Sequence, residues 1–590
     1  MEREEFLQVY RHSLAHILAK AVVEIYGKDK VQYAIGPQIA DGFYYDFILP
    51  ENVTKDDFKT IEDKMREIIK RREAWTCKEV TKSEALELFR DQRFKVELIE
   101  ELPDDENITV YYSGDDFVDL CRGPHIENSQ ELFGAAFQIK SASGSYWRGD
   151  ENRDQLQRIY VYAFPDKDQL KAHLKLVAEA MERDHKKLGR ELNLFMMHPT
   201  APGMPYWLPD GWKIYNNLLS FWRGIHEDHG YQEISGPIIS SSELWETSGH
   251  WGHYQDNMFV IPPAAEGDKI YALKPMNCPN AVLTYKRDNR SYKDLPMRIN
   301  QVDVIHRKEK SGELNGLFRV QMFRQDDAHI LLAEEQVAEE IADIISIADE
   351  LYGTLGLTYR VELSTRPDDY MGDLETWNKA EADLKAILDN QYGEGKYEIN
   401  EGDGAFYGPK IDLQMTDAIG REWQMGTIQL DFQLPRNFDL KYTAADGSQK
   451  QPVMIHRAMF GSFERFIGIL IENFKGAFPF WLAPTQVSVV PIREDHNEYA
   501  KKVADLLKAN GIRFTADYTN RNMKEKIKEG KNFKVPYIIV LGNREAEENT
   551  VSINVRGSNK QMQNVPLDTF IDMCRKLNTE RGRGLIETLL

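Results

Sequence analysis

The chain has 590 residues, of which 42% are hydrophobic and 29% charged, and its formal net charge is -21 at pH 7. This length exceeds what one hydrophobic core holds and predicts three or four domains, while the balanced composition excludes a disordered or low-complexity protein. The sequence contains no run of about 18 apolar residues, so it predicts no membrane-spanning helix.

The four cysteines lie far apart along the chain, without a close pair. This spacing favours a reducing compartment over a disulfide framework. The first residues, MEREEFLQVYRH, are charged and lack the apolar segment of a secretory signal. We therefore expect a cytoplasmic protein without a membrane partner.

Residues 1–165 combine helical patterns such as RHSLAHILAKAVVEIY with strand-and-turn stretches such as GFYYDFIL and QRIYVYAF. This mixture predicts an α+β domain. Over residues 166–194, apolar residues recur at the spacing of one helix face, and no strand pattern interrupts them. We expect one amphipathic helix there, acting as a linker between domains.

Two short motifs in the first domain carry histidine and cysteine. HSLAH has two histidines four residues apart on one helix face, and CRGPH has three residues between a cysteine and a histidine. Such a set suits a metal site or a hydrolytic pocket, and the alternative is two hydrogen-bonded helix histidines beside an unrelated loop. The residues are His12, His16, Cys121 and His125, with Asp119 and Lys95 as candidates for a neighbouring charge.

Residues 195–483 alternate helices with strand-like segments, including RVELST, KIDLQM and EWQMGTIQLDF, and polar residues lie inside those strands. Polar side chains within a sheet indicate a ligand-binding face. The stretch FRVQMFRQDDAHI is an example, because a period of two separates a mostly apolar face from a polar one. The polar face carries Arg319, Gln321, Phe323, Gln325, Asp327 and His329.

A metal site is a second possibility in this region. Cys278 lies in KPMNCPNAV, His329 ends the polar face just described, and His456 lies in the apolar strand VMIHRAMF. Zinc favours thiolate and imidazole ligands, and three of them would leave a coordination position open for substrate. The spacing alone gives little support, because the three residues are far apart, and three separate core or surface positions are the better explanation on spacing alone.

Arg307, Arg319 and Arg465 lie in strand or helix contexts and are candidates for binding phosphate, because guanidinium groups pair with phosphate oxygens in a bidentate manner. The chain contains no GxxxxGK[ST] motif. ATP, if it binds here, therefore binds in a different geometry from that of a P-loop.

Residues 484–590 read as strand, helix, strand, helix and strand, which predicts a small α/β domain with parallel strands. This segment has 18 Lys and Arg against 14 Asp and Glu, although the whole chain is acidic. Its stretch RNMKEKIKEGKNFK holds six basic residues. Such a run suits a nucleic-acid surface, and the alternative is a solvated helix face.

A set of motifs in chain order resembles those of the threonyl-tRNA synthetases, which are class II aminoacyl-tRNA synthetases. The motifs are HSLAH, FVDLCRGPH, SGHWGHY, KPMNCP, SGELNGLFRVQMFRQDDAHI, AFYGPKIDLQM, EWQMGTIQLDF and VMIHRAMFGSFERFIGIL. The resemblance covers essentially the whole chain, although the family's ubiquitin-like N-terminal domain is expected to be absent. It implies an α+β editing domain, a class II antiparallel sheet flanked by helices, and a C-terminal α/β anticodon-binding domain.

The resemblance also implies roles for individual residues. The zinc ligands would be Cys278, His329 and His456, and the editing residues would be His12, His16, Lys95, Asp119, Cys121 and His125. ATP would contact Arg307, Glu309, Arg319, Gln424 and Arg465, and the amino acid Met276, Gln325, Asp327, Tyr407, Lys410 and Gln429. His250 would lie near the terminal ribose of tRNA, and the anticodon would contact Asn520, Lys528, Glu545 and Arg556.

The implied reaction joins threonine to threonine tRNA with ATP and Mg²⁺, in a homodimer with one zinc ion per subunit. The zinc site would reject valine, which lacks the hydroxyl, whereas serine lacks only a methyl group and requires hydrolytic editing of seryl-tRNA. The resemblance assigns no metal to the editing residues. The alternatives are an RNA-binding regulator without catalysis and a ligase for serine or proline.

Several positions depart from the family pattern. Asn280 and Ala281 stand where Gly-His is usual, Lys308 where Asn is usual, and Asn315 where His is usual. In the C-terminal domain, Asn554 stands where an arginine is common. These changes lie near the positions matched to ATP and tRNA, and an active enzyme remains the expectation.

Overall fold

The structure is a computed structural model that describes residues 3–103, 106–265 and 267–581. Its contacts divide the chain into two compact units, one ending at Ala178 and the other beginning at Glu179. Across these described ranges, no helix has both the length and the apolar character needed to cross a bilayer.

The first unit combines helices with antiparallel sheets. Its elements are α1 (Arg3–Tyr26), β1 (Gln32–Tyr33), β2 (Gln38–Ile39), β3 (Gly42–Ile48), α2 (Phe58–Lys70), β4 (Trp75–Val80), α3 (Lys82–Leu88), α4 (Arg93–Glu100), β5 (Ile108–Ser113), β6 (Phe117–Leu120), β7 (Ala136–Tyr146) and β8 (Gln155–Phe164). One sheet has the order β1-β3-β8-β7 with β2 beside β3, and another has the order β4-β5-β6. Helix α1 is buried on nearly every side from Leu14 to Val22, as expected of a helix inside a core. The predicted α+β character is confirmed.

Two helices occupy the region where one was expected. They are α5 (Lys167–Arg183) and α6 (His185–Glu191). Asp184 between them leaves helical geometry, with φ -45° and ψ 118°, and its carboxylate accepts hydrogen bonds from the amides of Lys186 and Lys187. The prediction of one uninterrupted helix was wrong because this aspartate caps a new helix.

The second unit is centred on a large, mainly antiparallel sheet. The elements before it and within it are β9 (Phe195–Met196), β10 (Tyr206–Trp207), α7 (Pro209–Asp228), β11 (Gln232–Glu233), β12 (Ile239–Ser241), α8 (Ser242–Thr247), α9 (His250–Tyr254), β13 (Val260–Ile261), β14 (Tyr271–Leu273), α10 (Cys278–Lys286), β15 (Arg290–Ser291), β16 (Met297–Gln301), β17 (Val304–His306), β18 (Met322–Leu332), α11 (Val337–Leu355), β19 (Tyr359–Ser364), α12 (Leu374–Tyr392), β20 (Glu398–Asn400), β21 (Lys410–Thr416), β22 (Glu422–Asp431), α13 (Gln433–Asn437), β23 (Tyr442–Thr443), β24 (Gln449–Lys450), β25 (Val453–Ser462) and α14 (Phe463–Asn473).

The sheet order is β11-β16-β18-β25-β22-β21-β19-β20, with β17 beside β18, and only the pairs β11-β16 and β19-β20 are parallel. One face packs in a core with helices α7, α11 and α14, where Ala328 and Ile330 of β18 are fully buried. Because side chains alternate along a strand, Asp327 and His329 point to the opposite face. The antiparallel sheet flanked by helices is confirmed.

The C-terminal part of this unit has its own sheet. Its elements are β26 (Val487–Pro491), α15 (Asn497–Ala509), β27 (Phe514–Ala516), α16 (Met523–Asn532), β28 (Tyr537–Leu541), α17 (Asn543–Glu548), β29 (Thr550–Val555), β30 (Gln561–Pro566) and α18 (Leu567–Thr579). The order is β27-β26-β28-β29-β30. The predicted parallel pairing of β26 with β27 and β28 is confirmed, and the two strands that follow are antiparallel.

Candidate functional site

Cys278, His329 and His456, called here the Cys278 trio, meet on the polar face of the large sheet. Cys278 begins helix α10, whereas His329 and His456 lie directly opposite each other on β18 and β25. All three side chains are buried, and one ligand atom from each lies within 4.8 Å of those from the other two. The fold therefore collects residues whose spacing in sequence gave little reason to connect them.

The donor set of the trio suits zinc. One thiol and two imidazoles are the side chains that zinc prefers, and three of them leave a position for a substrate. Nδ1 of His329 is buried and has no hydrogen-bond partner among the described residues, so a cation would satisfy it. Nε2 of His456 lies 2.8 Å from Oδ2 of Asp431, a carboxylate of the kind that orients metal-bound imidazoles.

A cavity of about 370 Å³ lies over the trio. Among the residues predicted to contact an amino acid, those that line it are Met276, Gln325, Asp327, Tyr407 and Gln429. Burial raises the pKa of Asp327 to about 6, so at neutral pH this side chain is a desolvated carboxylate beside the trio. Lys410 lies opposite Gln429 in the strand pairing, and its ammonium is held by Asp403 and Asp412 at 2.9 and 2.6 Å.

A second cavity, of about 440 Å³, adjoins the first. Among the residues predicted to contact ATP, those that line it are Arg307, Glu309, Arg319, Gln424 and Arg465. Nε of Arg319 donates to Glu309 at 2.9 Å, and Nε of Arg465 donates to the carbonyl of Phe318 at 3.0 Å. Arg307 and Gln325 line both cavities, so ligands in the two would lie side by side.

His250 is also near the trio. Its Nε2 lies 3.1 Å from Sδ of Met276 and 3.8 Å from Sγ of Cys278, while its Nδ1 is 2.8 Å from Oγ of Ser248. Burial lowers the pKa of His250 to about 4, so the imidazole is neutral at physiological pH.

His12, His16, Cys121 and His125, called here the His12 quartet, form a cluster in the first unit. Sγ of Cys121 lies 3.2 Å from Nε2 of His12 and 3.1 Å from Nε2 of His125. Burial lowers the pKa of all three histidines and raises that of Cys121 to about 12, so the cluster is uncharged near neutral pH.

Charged neighbours adjoin the quartet. Lys95 forms a buried ion pair with Asp119, whose Oδ2 lies 3.6 Å from Nε2 of His16. The hydroxyl of Tyr45 donates to the same carboxylate at 2.5 Å. A cavity of about 590 Å³ opens beside His12. His12 is the member of the quartet that lines this cavity, so a ligand or water in the cavity would contact the quartet through this imidazole.

The four residues matched to anticodon contacts do not form one group. Asn520 and Lys528 are exposed. Glu545 is buried and accepts hydrogen bonds from the amide of Gly542 and the hydroxyl of Ser552. Arg556 donates to the carbonyls of Lys534 and Phe478, both at 2.6 Å.

Three side chains that contact these clusters were not predicted from the motifs. Asp431 is the hydrogen-bond partner of His456, and Tyr45 is a hydrogen-bond partner of Asp119. The hydroxyl of Ser13 lies 3.0 Å from Nδ1 of His125. A signal existed for Ser13, which lies inside HSLAH, and for Asp431, which ends an apolar strand where an unpaired carboxylate would be costly. Of the departures, Asn280 and Ala281 are buried in α10, and Asn315 accepts a hydrogen bond from Lys186.

Comparisons with known families match three parts of the chain. The tRNA synthetase class II core domain (G, H, P, S and T) matches residues 260–474, and the anticodon binding domain matches residues 486–577. The threonyl and alanyl tRNA synthetase second additional domain matches residues 108–160.

Whole-chain relatives agree with these matches. The threonine–tRNA ligase of Thermotoga neapolitana is 47% identical over 578 residues, which are 98% of this chain and 89% of the relative. That of Petrotoga mobilis is 49% identical over 580 residues, with the same coverage. A solved structure of the RNA binding domain of threonyl-tRNA synthetase from Cryptosporidium parvum superposes with a TM-score of 0.64 at 40% identity, covering 68% of this chain and 99% of that one.

Proposed function

The chain belongs to the threonine–tRNA ligase family of class II aminoacyl-tRNA synthetases, and from that premise we propose how its residues divide the work. The two adjoining cavities that share Arg307 and Gln325 are the observation that carries the proposal. Activation requires the carboxylate of an amino acid to reach the α-phosphate of ATP, and ligands in neighbouring cavities meet that requirement.

ATP occupies the cavity lined by the arginines. Arg307, Arg319 and Arg465 bind its phosphates, and with Mg²⁺ they stabilise the negative charge that develops as the carboxylate attacks the α-phosphate. Glu309 and Gln424 contact the remainder of the nucleotide. Arg319 is already oriented by Glu309, which reduces the rotamer entropy lost when ATP binds.

Threonine occupies the cavity over the Cys278 trio. The trio holds zinc, which when bound supplies a Lewis acid for the amino and hydroxyl groups of the substrate. Asp327 accepts a hydrogen bond from the substrate hydroxyl, with Met276, Gln325, Tyr407, Lys410 and Gln429 shaping the site. Valine lacks the hydroxyl and would leave this buried carboxylate unpaired, so it is rejected when it binds.

Serine carries the hydroxyl and lacks one methyl group, which is worth only about 1–3 kcal/mol of discrimination. The His12 quartet therefore hydrolyses seryl-tRNA, with Lys95 and Asp119 beside it. Neutral imidazoles orient water and accept its proton, and the Cys121 thiol stays protonated. We assign no metal to this step.

Transfer requires the 3′ end of threonine tRNA near His250 and the anticodon on the C-terminal domain. Asn520 and Lys528 are exposed and suit contacts with RNA, whereas Glu545 and Arg556 suit a supporting role or a contact formed when tRNA binds. We propose a cytoplasmic homodimer with one zinc ion per subunit.

Exchange of labelled diphosphate into ATP tests the activation step. We expect exchange with threonine, none with valine or proline, and slower exchange with serine. An RNA-binding regulator without catalysis would show no exchange with any amino acid, and a different ligase would show it with another one. Either result would refute the threonine assignment.

A further inference from the structure

Residues 313–319, called here the Arg319 loop, contribute Phe318 and Arg319 to the lining of the nucleotide cavity and contact the first turn of helix α6. The loop turns back on itself, because the amides of Phe318 and Arg319 both donate to the carbonyl of Asn315, at 2.9 and 3.3 Å. Gly316 at its tip has φ +52°, a conformation that favours glycine. The position of Arg319 therefore depends on what holds this turn.

His185, the first residue of α6, contacts the loop directly. Its side chain is 1% exposed, and its Nε2 accepts a hydrogen bond from the amide of Leu317 at 3.0 Å. A backbone amide can only donate, so Nε2 carries no proton and the proton of the neutral ring is on Nδ1. Nδ1 then donates to Oε1 of Glu472 at 2.7 Å, which fixes the ring orientation.

Glu472 anchors this imidazole from helix α14. The same Oε1 accepts the backbone amide of His185 at 3.0 Å, and the other oxygen pairs with Arg421. Burial raises the pKa of Glu472, but its hydrogen bonds with His185 and Arg421 outweigh that effect and hold it below the usual value. Helix α14 also carries Arg465, which donates to the carbonyl of Phe318 in the loop.

The packing leaves little room for the loop to move. A Cβ atom at Gly316 would lie 2.1 Å from Nε2 of His185. The ring of Phe318 lies 4.0 Å from the ring of His185 and 4.6 Å from that of Trp423, measured between centroids. Phe318 also lines the nucleotide cavity, so contacts made by His185 reach the ATP site through one residue.

We propose that His185 is a positioning residue for nucleotide binding, which holds the Arg319 loop in the conformation that presents Arg319 to the phosphates of ATP. Its Nε2 satisfies the Leu317 amide, and its Nδ1 is tied to Glu472 of the helix that supplies Arg465. This inference rests on the proposed binding of ATP in this cavity, and it does not depend on which amino acid is activated.

Two substitutions separate the contacts of His185. In His185→Asn, the amide nitrogen can replace Nδ1 toward Glu472, but no acceptor reaches Leu317. In His185→Gln, the longer side chain can place an oxygen near the position of Nε2 and retain that acceptor. His226→Asn is the matched control, because His226 is also 1% exposed, bonds a backbone carbonyl through Nδ1 and lies outside the loop contacts.

Hydrogen–deuterium exchange of a peptide covering residues 312–320 measures the loop itself. We expect His185→Asn to speed its exchange about tenfold, His185→Gln to speed it less, and His226→Asn to leave it unchanged. Unchanged exchange in His185→Asn would overturn the proposal. If His185→Asn does not fold, His185→Gln provides the test. The proposal is supported if the loop of His185→Gln exchanges at the wild-type rate while α14 exchanges faster. It is refuted if the loop exchanges faster while α14 keeps the wild-type rate.

Calorimetric titration with Mg-ATP and the KM values of diphosphate exchange measure the consequence. We expect His185→Asn to weaken ATP binding about ten- to thirtyfold, with the KM for threonine changed less than twofold, because a lost buried hydrogen bond disorders only the nucleotide side. If His185→Asn raised the KM values for ATP and threonine equally, or if His226→Asn weakened ATP binding as much as His185→Asn does, the role of His185 would be merely structural and the proposal would be refuted. Wild-type protein that binds ATP but shows no threonine-dependent exchange would instead refute only the proposed function.

Discussion

The Cys278 trio in the second unit and the His12 quartet in the first use the same two residue types in different surroundings. In the quartet, the sulfur of Cys121 lies within hydrogen-bonding distance of two imidazoles, so the side chains satisfy one another. In the trio, a buried nitrogen of His329 has no partner among the described residues. Both clusters bring their ligand atoms within 4.8 Å of one another, and of the two it is the trio that contains a buried ring nitrogen without a hydrogen-bond partner among the described residues.

The charged side chains beside the two clusters also differ. Burial and the carboxylates of Asp327 and Asp431 raise the pKa of Cys278 well above its usual value, and those carboxylates attract a cation. Burial, His12 and the ammonium of Lys95 lower the pKa of His16 well below its usual value, and burial, His456 and Arg457 lower that of His329 in the trio in the same direction. The two clusters differ in their charged neighbours, which include the carboxylates of Asp327 and Asp431 at the trio and the ion pair of Lys95 with Asp119 at the quartet.

The largest effect is expected when each of the two cysteines is replaced by alanine in a separate variant. Cys278→Ala should lose its zinc and reduce threonine-dependent exchange by about a thousandfold, because several kcal/mol of metal stabilisation disappear. Metal analysis and exchange rates measure both effects. Cys121→Ala is the matched control and should retain full zinc; if it also loses metal, the contrast between the clusters is wrong.

Removing a histidine of the quartet should affect only editing. His12→Ala should slow deacylation of seryl-tRNA by about a hundredfold or more, since a positioned proton acceptor contributes about 10²–10⁴ in rate. The rate of threonine-dependent exchange serves as the internal control and should stay at the wild-type value. Equal deacylation rates in wild type and variant would remove the editing assignment.

Substitution of Asp431, the carboxylate hydrogen-bonded to His456, should have a smaller effect. Asp431→Asn should weaken zinc binding by about 10- to 100-fold, because the amides of Gln433 and Leu434 hold one oxygen of this side chain, so an amide nitrogen would replace the oxygen that faces the imidazole. Competition with a chelator measures this affinity. Asp119→Asn changes the corresponding carboxylate of the other cluster and should leave zinc affinity unaltered, and a parallel loss in both variants would contradict the comparison.

The smallest effect is a pH dependence of stability. The folded pKa of each quartet histidine is below the unfolded value of about 6.5, so the unfolded state binds more protons as the pH falls below that value. Below pH 6.5 each histidine should therefore lower the stability, by at most about 1.4 kcal/mol per pH unit while it stays unprotonated in the folded state. Thermal melts from pH 7.5 to 5.5 should fall more steeply for wild type than for His16→Asn, and parallel curves would contradict this expectation.

Some of this arrangement could be predicted from local sequence. Alternation along FRVQMFRQDDAHI predicted that Gln325, Asp327 and His329 share a face, and all three line one cavity. The same alternation failed at the start of the stretch, because β18 begins at Met322 and Arg319 belongs to a turn. A period of two cannot detect a turn that contains a glycine with positive φ and that donates a hydrogen bond to a distant histidine.

The meeting of the trio depends on long-range pairing, which spacing in sequence does not encode. Residue type alone suggested Cys278, His329 and His456 as zinc ligands without supporting their proximity, and the resemblance to a known family supplied that support. The break in the linker helix is a different case, because an aspartate followed by a histidine and two lysines is compatible with either a continuing helix or a new N-cap. Its effect is decided by Glu472, which binds the first residue of the new helix.

The direct pairing of His329 with His456 across β18 and β25 has a consequence for which changes in chain length the protein tolerates. Inserting or deleting one residue in either strand would turn the following side chains to the opposite face and separate the two imidazoles. Length polymorphism must therefore be confined to the connections outside these strands. Tolerance to single-codon indels, mapped along the gene, should fall to zero across both segments and recover at their ends.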